Sequence, residues 1–396
     1  MNMLNFVKCF VILTAIGLLT ACGGDGGGSP GSAAQVGGSG TVAIALTDQP
    51  ACGFDHVFVT VTRVRVHRSA SADDTSSGWT DIVVAPARRI DLLELTNGRM
   101  EELGVTPLAA GNYTQLRLVL VPNAGGAPAN NSVVPTGGVE TALVTPSAVQ
   151  SGLKLIHPFT VEAGKRVDLV IDFDACRSIV RRGNGSFGLK PVLRASLMEV
   201  AEFVGYVDKA IADVTVTAQK NGTVVRGTKP DADGLFRLAW LRAASAPYDV
   251  VFTAPGRATT VVRGVTVTQD TTTLSTITSP ISLEPSPVSQ TAGGTVNPVE
   301  ARDDGAVRAL QAVGSVPQVE VATVNVDAIS GEYSLILPTA SPRLAAYSTT
   351  LPLTFAPQDA TARLYTLEAS ATGFATQPRA IDLTAGNVTA NFILAP

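Results

Sequence analysis

The chain has 396 residues, of which 45% are hydrophobic and only 16% charged, with a formal net charge of −4. There is no long basic run, which argues against a nucleic-acid partner, because binding to phosphates rests on clustered Lys and Arg. Abundant Val, Thr and Ala, with 37 Gly and 24 Pro, suit β-domains joined by many turns.

At the amino terminus, Phe10 to Leu19 is apolar apart from Thr14 and follows Lys8. This run is too short to cross a bilayer and has the layout of a secretory signal. It ends in Leu19-Thr20-Ala21-Cys22, which resembles the lipobox of bacterial lipoproteins. The resemblance implies that residues 1–21 are removed, that Cys22 becomes the mature amino terminus, and that its sulfur carries lipid, palmitate included. The membrane is then the first partner, because two acyl chains already anchor stably at about 0.8 kcal/mol per buried methylene. Gly23 rather than Asp follows the cysteine, and by the sorting rule of Gram-negative lipoproteins this implies the outer membrane. Residues 22–40 are rich in Gly and Ser and form a flexible tether with an end-to-end distance of about 25 Å. Cys9 leaves with the signal and Cys22 takes lipid. Cys52 and Cys176 remain, an even pair in an oxidising compartment, and are expected to form a disulfide.

Residues 41–200 alternate as strands. Thr41 to Leu46 opens the segment. Val57, Val59 and Val61 share one face, and Val64 and Val66 then switch parity, which predicts a bulge. Arg88 to Leu95 fits a short helix or another strand. Ala110-Gly111-Asn112 turns into Tyr113 to Val121, where Leu116, Leu118 and Leu120 form one face. Leu169, Ile171 and Phe173 do the same later, and Phe187 to Val200 supplies one or two final strands. Strands at this density with frequent turns predict a β-sandwich. Leu46-Thr47-Asp48-Gln49-Pro50, Val57-Phe58-Val59-Thr60-Val61, Trp79-Thr80-Asp81, Ile90-Asp91-Leu92-Leu93, Gly111-Asn112-Tyr113 and Leu116-Arg117-Leu118 resemble a bacterial lipoprotein family catalogued as domain of unknown function 4382. The resemblance implies an Ig-like β-sandwich at the cell envelope and assigns no activity.

The remainder contains an internal repeat. One copy runs through Gly205, Val214-Thr215-Val216, Asp231-Ala232-Asp233-Gly234-Leu235-Phe236 and Tyr248 to Gly256. The other runs through Gly294-Thr295-Val296, Asp327-Ala328-Ile329-Ser330-Gly331-Glu332-Tyr333 and Tyr365 to Gly373. In both, a Gly turn precedes an aromatic strand, and a Tyr-led strand runs to a second Gly turn. This plan resembles the carboxypeptidase regulatory-like, or transthyretin-like, β-sandwich. The expected domains are residues 201–287 and a divergent copy at 288–396, with Pro280 to Pro287 as linker and Val299 to Val319 as an insertion. The whole is therefore expected to be all-β: an Ig-like sandwich followed by two transthyretin-like sandwiches.

Catalytic signatures are missing. The three histidines, His56, His67 and His157, form no His-Glu-x-x-His pair, and no Gly-x-Ser-x-Gly elbow precedes a helix pattern. One carboxylate set, Asp48, Asp55, Asp172 and Asp174, is a calcium candidate if the disulfide gathers it, since Ca²⁺ takes six to eight oxygens. The competing expectation is a polar outer strand face. Asp231-Ala232-Asp233-Gly234 also looks calcium-like, yet turn chemistry accounts for it. Trp79 and Trp240 are expected in the cores, with sugar stacking as the alternative. These features lead to a non-catalytic envelope protein, structural or adhesive, meeting a protein or glycan partner. The alternatives are a ligand- or calcium-binding module and an accessory subunit of an envelope enzyme.

Overall fold

The computed structural model describes residues 38–396 apart from 50–52, 126–127, 184, 199–200, 243–246, 268–270 and 315–316. It is almost entirely β, as the alternating patterns require. Three large hydrophobic cores follow one another along the chain, each with its own pair of sheets, and a small cluster of Val251, Val261, Val313 and Val319 joins the second region to the third.

The first core lies between a four-stranded and an eight-stranded sheet. In the smaller sheet, Ser39–Gln49 pairs antiparallel with Glu101–Ala109 and parallel with Arg166–Asp174, which also receives Leu193–Leu197. The larger sheet is built around Phe54–His67. This strand pairs with Thr80–Asp91 along one edge and with Gly111–Leu120 and Ser132–Pro135 along the other. The pairing register slips between Val61 and Arg63, so the parity switch is a bulge that keeps Val64 and Val66 buried. Arg88 to Leu95 holds both expected elements. Thr80–Asp91 is a strand, and Asp91 then caps the 3₁₀ turn Leu92–Leu95 by accepting from the Leu93 N–H. In Gly111-Asn112-Tyr113, the tyrosine OH donates to the carbonyl of Ala109 at 3.0 Å, and its ring stacks on Phe159. This ties the turn to the core in the manner of a tyrosine corner.

The second and third cores repeat one topology. Glu202–Tyr206 lies between Leu235–Leu238 and Thr271–Thr273, as Ser289–Asn297 lies between Glu332–Pro338 and Val388–Thr389. The opposing sheets run Thr223–Thr228, Thr215–Lys220, Tyr248–Thr253, Thr260–Val265 in one copy. In the other they run Val319–Asn325, Ala306–Gln311, Leu364–Ser370, Gln377–Asp382. The turn glycines explain the shared sequence plan. Gly234 and Gly331 have φ of 82° and 77°, and a Cβ on either would lie 2.2 Å or 2.7 Å from the carbonyl of Val207 or Val296. Only glycine satisfies both constraints.

Two expectations about the connections are corrected. Residues 299–319 are not an insertion, because Ala306–Gln311 within them is a central strand of the third module. The true excursion is the stretch after Pro338. There Arg343–Ala346 crosses to the second module and adds a parallel strand beside Thr260–Val265, and Ala356–Pro357 pairs behind it. Tyr347, Leu353 and Phe355 from the same stretch pack against the second core. Pro280 to Pro287 is likewise no loose linker. Ile281 and Leu283 are buried in that core, and Ser286 donates to the Val288 carbonyl while accepting from the N–H groups of Thr339 and Ala340. The equivalent edge of the third module, Gln377–Asp382, carries no added strand among the described residues, and its Pro378 has no N–H to offer one.

Candidate functional site

The covalent candidates fall largely outside the described residues. Cys22 and Cys52 lie there, and Cys176 is placed only as backbone, in the short helix Ala175–Ser178. Its neighbourhood is informative all the same. The parallel register sets Gln49 opposite Asp174, so the segments leading to Cys52 and Cys176 leave the same end of adjacent strands.

The four candidate carboxylates divide. Asp48 and Asp172 line one small cavity together with Arg226. Asp48 accepts from the Ala175 N–H at 3.0 Å, and Asp172 accepts from Arg226 Nη1 at 2.5 Å. Asp174 caps the following helix by accepting from the Arg177 N–H at 3.1 Å. Asp55 is exposed on the other sheet of the first module and accepts from the Gly137 N–H. Among the described residues, no group of three or more His, Cys, Asp or Glu side chains is arranged to hold a metal ion. In the Asp231 turn, the carboxylate accepts from the N–H groups of Asp233 and Leu235, which is the turn chemistry expected of it.

The outward face of Arg166–Asp174 is therefore solvated only at its start, where Arg166 pairs with Asp168, and is covered at Asp172 and Asp174. It is the floor of a seam on which the other two modules sit. Arg226 reaches from the second module to Asp172 and, through Nη2, to Ser196 at 2.6 Å. Arg177 from the first module pairs with Glu320 of the third. Glu320 also takes Arg308 at 3.4 Å, and Arg308 binds Glu368 at 2.7 Å and the Gly222 carbonyl at 3.0 Å. Gln219 of the second module closes a two-way amide contact with the Glu320 backbone, at 2.7 and 2.8 Å. Asn325 donates to the carbonyls of Arg177 and Ile179, and Lys190 pairs with Asp304 at 3.1 Å. These groups were invisible as a site in the sequence. Arg226 and Glu320 occupy alternate positions in short strands, where a charge ordinarily marks the wet face.

Burial shifts two of these groups. Loss of solvent pushes Asp174 up to about 6, against the pull of Arg177 and its backbone N–H. Burial also brings Lys190 down to about 8, against the attraction of Asp303. For Asp174 the folded body holds the proton more tightly than the unfolded chain, which titrates near 3.8. Its stabilising contribution is complete below the unfolded value and is lost as pH rises through about 6. Asp174→Asn keeps a capping acceptor without the charge. The melting temperature of Asp174→Asn minus that of the wild type should therefore increase from pH 4 to pH 7. A flat difference across that range would show that this carboxyl does not titrate in the window.

Neither tryptophan is a core residue. Trp79 is half-buried on the outer face of the first module. The guanidiniums of Arg65 and Arg117 each lie 5.0 Å from its ring, and its Nε1 donates to the Asp73 carbonyl. Trp240 is half-buried at the seam with Arg226 and has a φ of 59°.

Where the three modules meet on the opposite side of Phe54, they leave a cleft of about 590 Å³. The first module contributes Phe54 and Asp55, the second Lys229, Arg257 and Thr259, and the third Val321 and Ile336, among others. The cleft mixes hydroxyls, both signs of charge and an aliphatic wall. Among the described residues it brings together no nucleophile–base pair.

Fold and seam together define a modular β-sandwich protein whose units are locked by buried polar contacts. Residues 39–191 match the family model described as Domain of unknown function (DUF4382), and residues 205–279 match the Carboxypeptidase regulatory-like domain. The former match covers the first module and the latter the second; the third repeats the second's topology. No curated protein matches the sequence. Among solved structures, the Bacillus anthracis TIE protein is similar over 90% of this chain at 11% identity, with a TM-score of 0.17. This chain spans half the length of that protein. A Streptococcal ancillary pilin is 12% identical over 89% of this chain and 98% of its own, with a TM-score of 0.16. A putative adhesin from Bacteroides ovatus is 11% identical over 96% and 95% of the two chains, also at 0.16. TM-scores this low establish neither a shared overall arrangement nor a shared role.

Proposed function

We propose that this protein is a non-catalytic, lipid-anchored component of the outer membrane of a Gram-negative cell. It is tethered through Cys22 and presents its β-sandwich modules to a protein or glycan partner. The observation that carries this reading is the locking of three sandwiches into one body. A donated strand joins the third module to the second, and buried ion pairs join both to the first. Such a body transmits position and load from an amino-terminal anchor to a distant surface, which loosely linked domains would not do. A lipobox-like Leu19-Thr20-Ala21-Cys22 followed by Gly23 supplies the anchor.

Two measurements test this. Cells fed a clickable palmitate analogue should label the wild type, and Cys22→Ala should lose that label completely and leave the membrane fraction. Label persisting on Cys22→Ala would remove the anchor. Protease shaving of intact cells then separates the two faces of the membrane, with cleavage expected for an adhesive role at the surface and protection for a structural role in the periplasm.

A further inference from the structure

We infer that the cleft between the three modules binds a short extended peptide of a partner protein, one that sets a carboxylate beside aliphatic side chains. The inference rests on the envelope role proposed above and names the ligand class for one of its surfaces. Two observations support it.

The first is an unmatched cation. Asp55 is served by the Gly137 N–H, and Asp213 lies 3.9 Å from Lys229. Arg257 donates Nη1 to the Leu283 carbonyl at 3.1 Å and has no carboxylate partner among the described residues. A ligand carboxylate at this end would form the charge-assisted pair that the protein itself does not supply. The second is the wall. Ile336 is 74% exposed at the cleft, beside Val321 and the buried Leu337. A branched aliphatic side chain left in water at a concave site gains by covering it.

The same lining argues for peptide over sugar. Sugar sites use the open face of an aromatic ring, and no Trp or Tyr lines the cleft among the described residues. Its one ring, Phe54, packs edge-on against Phe187 at 5.8 Å.

The test is panning of a phage-displayed random heptapeptide library against the full-length protein, with enriched peptides then synthesised and titrated. Enriched sequences should place Asp, Glu or a free carboxyl terminus beside Leu, Ile or Val. Arg257→Ala should weaken their binding at least tenfold, the usual effect of losing a charged hydrogen bond. Ile336→Asp should do the same from an exposed position that leaves the fold intact, and Arg257→Lys should retain part of the affinity. No enrichment over the bare support, or peptides indifferent to both Arg257→Ala and Ile336→Asp, would overturn the site. Arg257-dependent binding of tetragalacturonate in place of peptides would reassign it to acidic glycans. Acyl labelling at Cys22 is read separately, so a failed cleft and a failed anchor are distinguishable.

Discussion

Arg226→Ala should destabilise the folded body by about 3–5 kcal/mol, the cost of leaving a buried charge without its partner. Arg226 and Asp172 are paired at 2.5 Å with side chains only 9% and 1% exposed, one from the second module and one from the floor of the first. Removing the guanidinium leaves Asp172 under the second module and deprives Ser196 of its donor. The loss falls on a seam rather than within a core, so it should also change cooperativity. Calorimetry of the wild type should show the first and second modules melting together, and Arg226→Ala should separate them into two transitions. The control is to remove both charges. Arg226→Met combined with Asp172→Leu should recover most of the loss, because well-packed apolar replacements of a buried pair are close to neutral. Equal melting profiles for wild type and Arg226→Ala would mean that the seam is wet in solution.

The individual strands of this protein are legible because alternation reports which residues share a face. Leu116, Leu118 and Leu120, and later Leu169, Ile171 and Phe173, are buried in the first core as their spacing demands. The bulge at Val61 and Arg63 was visible as a change of parity, and the two-copy plan was visible in the turn glycines Gly234 and Gly331. Alternation does not report what covers the opposite face. Asp172 and Asp174 therefore suggest water or calcium when read alone, whereas the second and third modules bring Arg226 and Glu320 over that face. The crossing strand Arg343–Ala346 was hidden for a related reason. Four residues pairing in parallel with a strand of another module have no local signature, since their partner is some eighty positions away and belongs to a different core. The cleft was equally illegible. Arg257, Thr259 and Ile336 come from two modules, and only the packing of those modules against Phe54 makes them neighbours.

Reduction of the mature protein should lower its stability by up to about 4–5 kcal/mol if Cys52 and Cys176 are linked, because the bond would close a loop on the order of 120 residues. We propose that link from chain geometry. Ser39–Gln49 and Arg166–Asp174 run parallel with Gln49 opposite Asp174, and Cys52 and Cys176 follow within three residues of those ends. Neighbouring strands are about 4.8 Å apart, and bridged cysteines need Cα atoms within about 7 Å. Three residues of connecting chain can meet that requirement. The same end of the sheet carries Asp48 against the Ala175 N–H and Asp174 capping Ala175–Ser178, so a bond there would clamp the helix that bears Arg177. Loss of the bond should therefore loosen the Arg177–Glu320 contact to the third module as well as the first core. Peptide mapping without reductant should recover Cys52 and Cys176 in one linked species, and Cys52→Ser and Cys176→Ser should each reproduce the melting shift seen on reduction. Two freely alkylated thiols in the folded protein would exclude the bond. The seam would then rest on its ion pairs and amide hydrogen bonds, and Arg226→Ala would become the more damaging change.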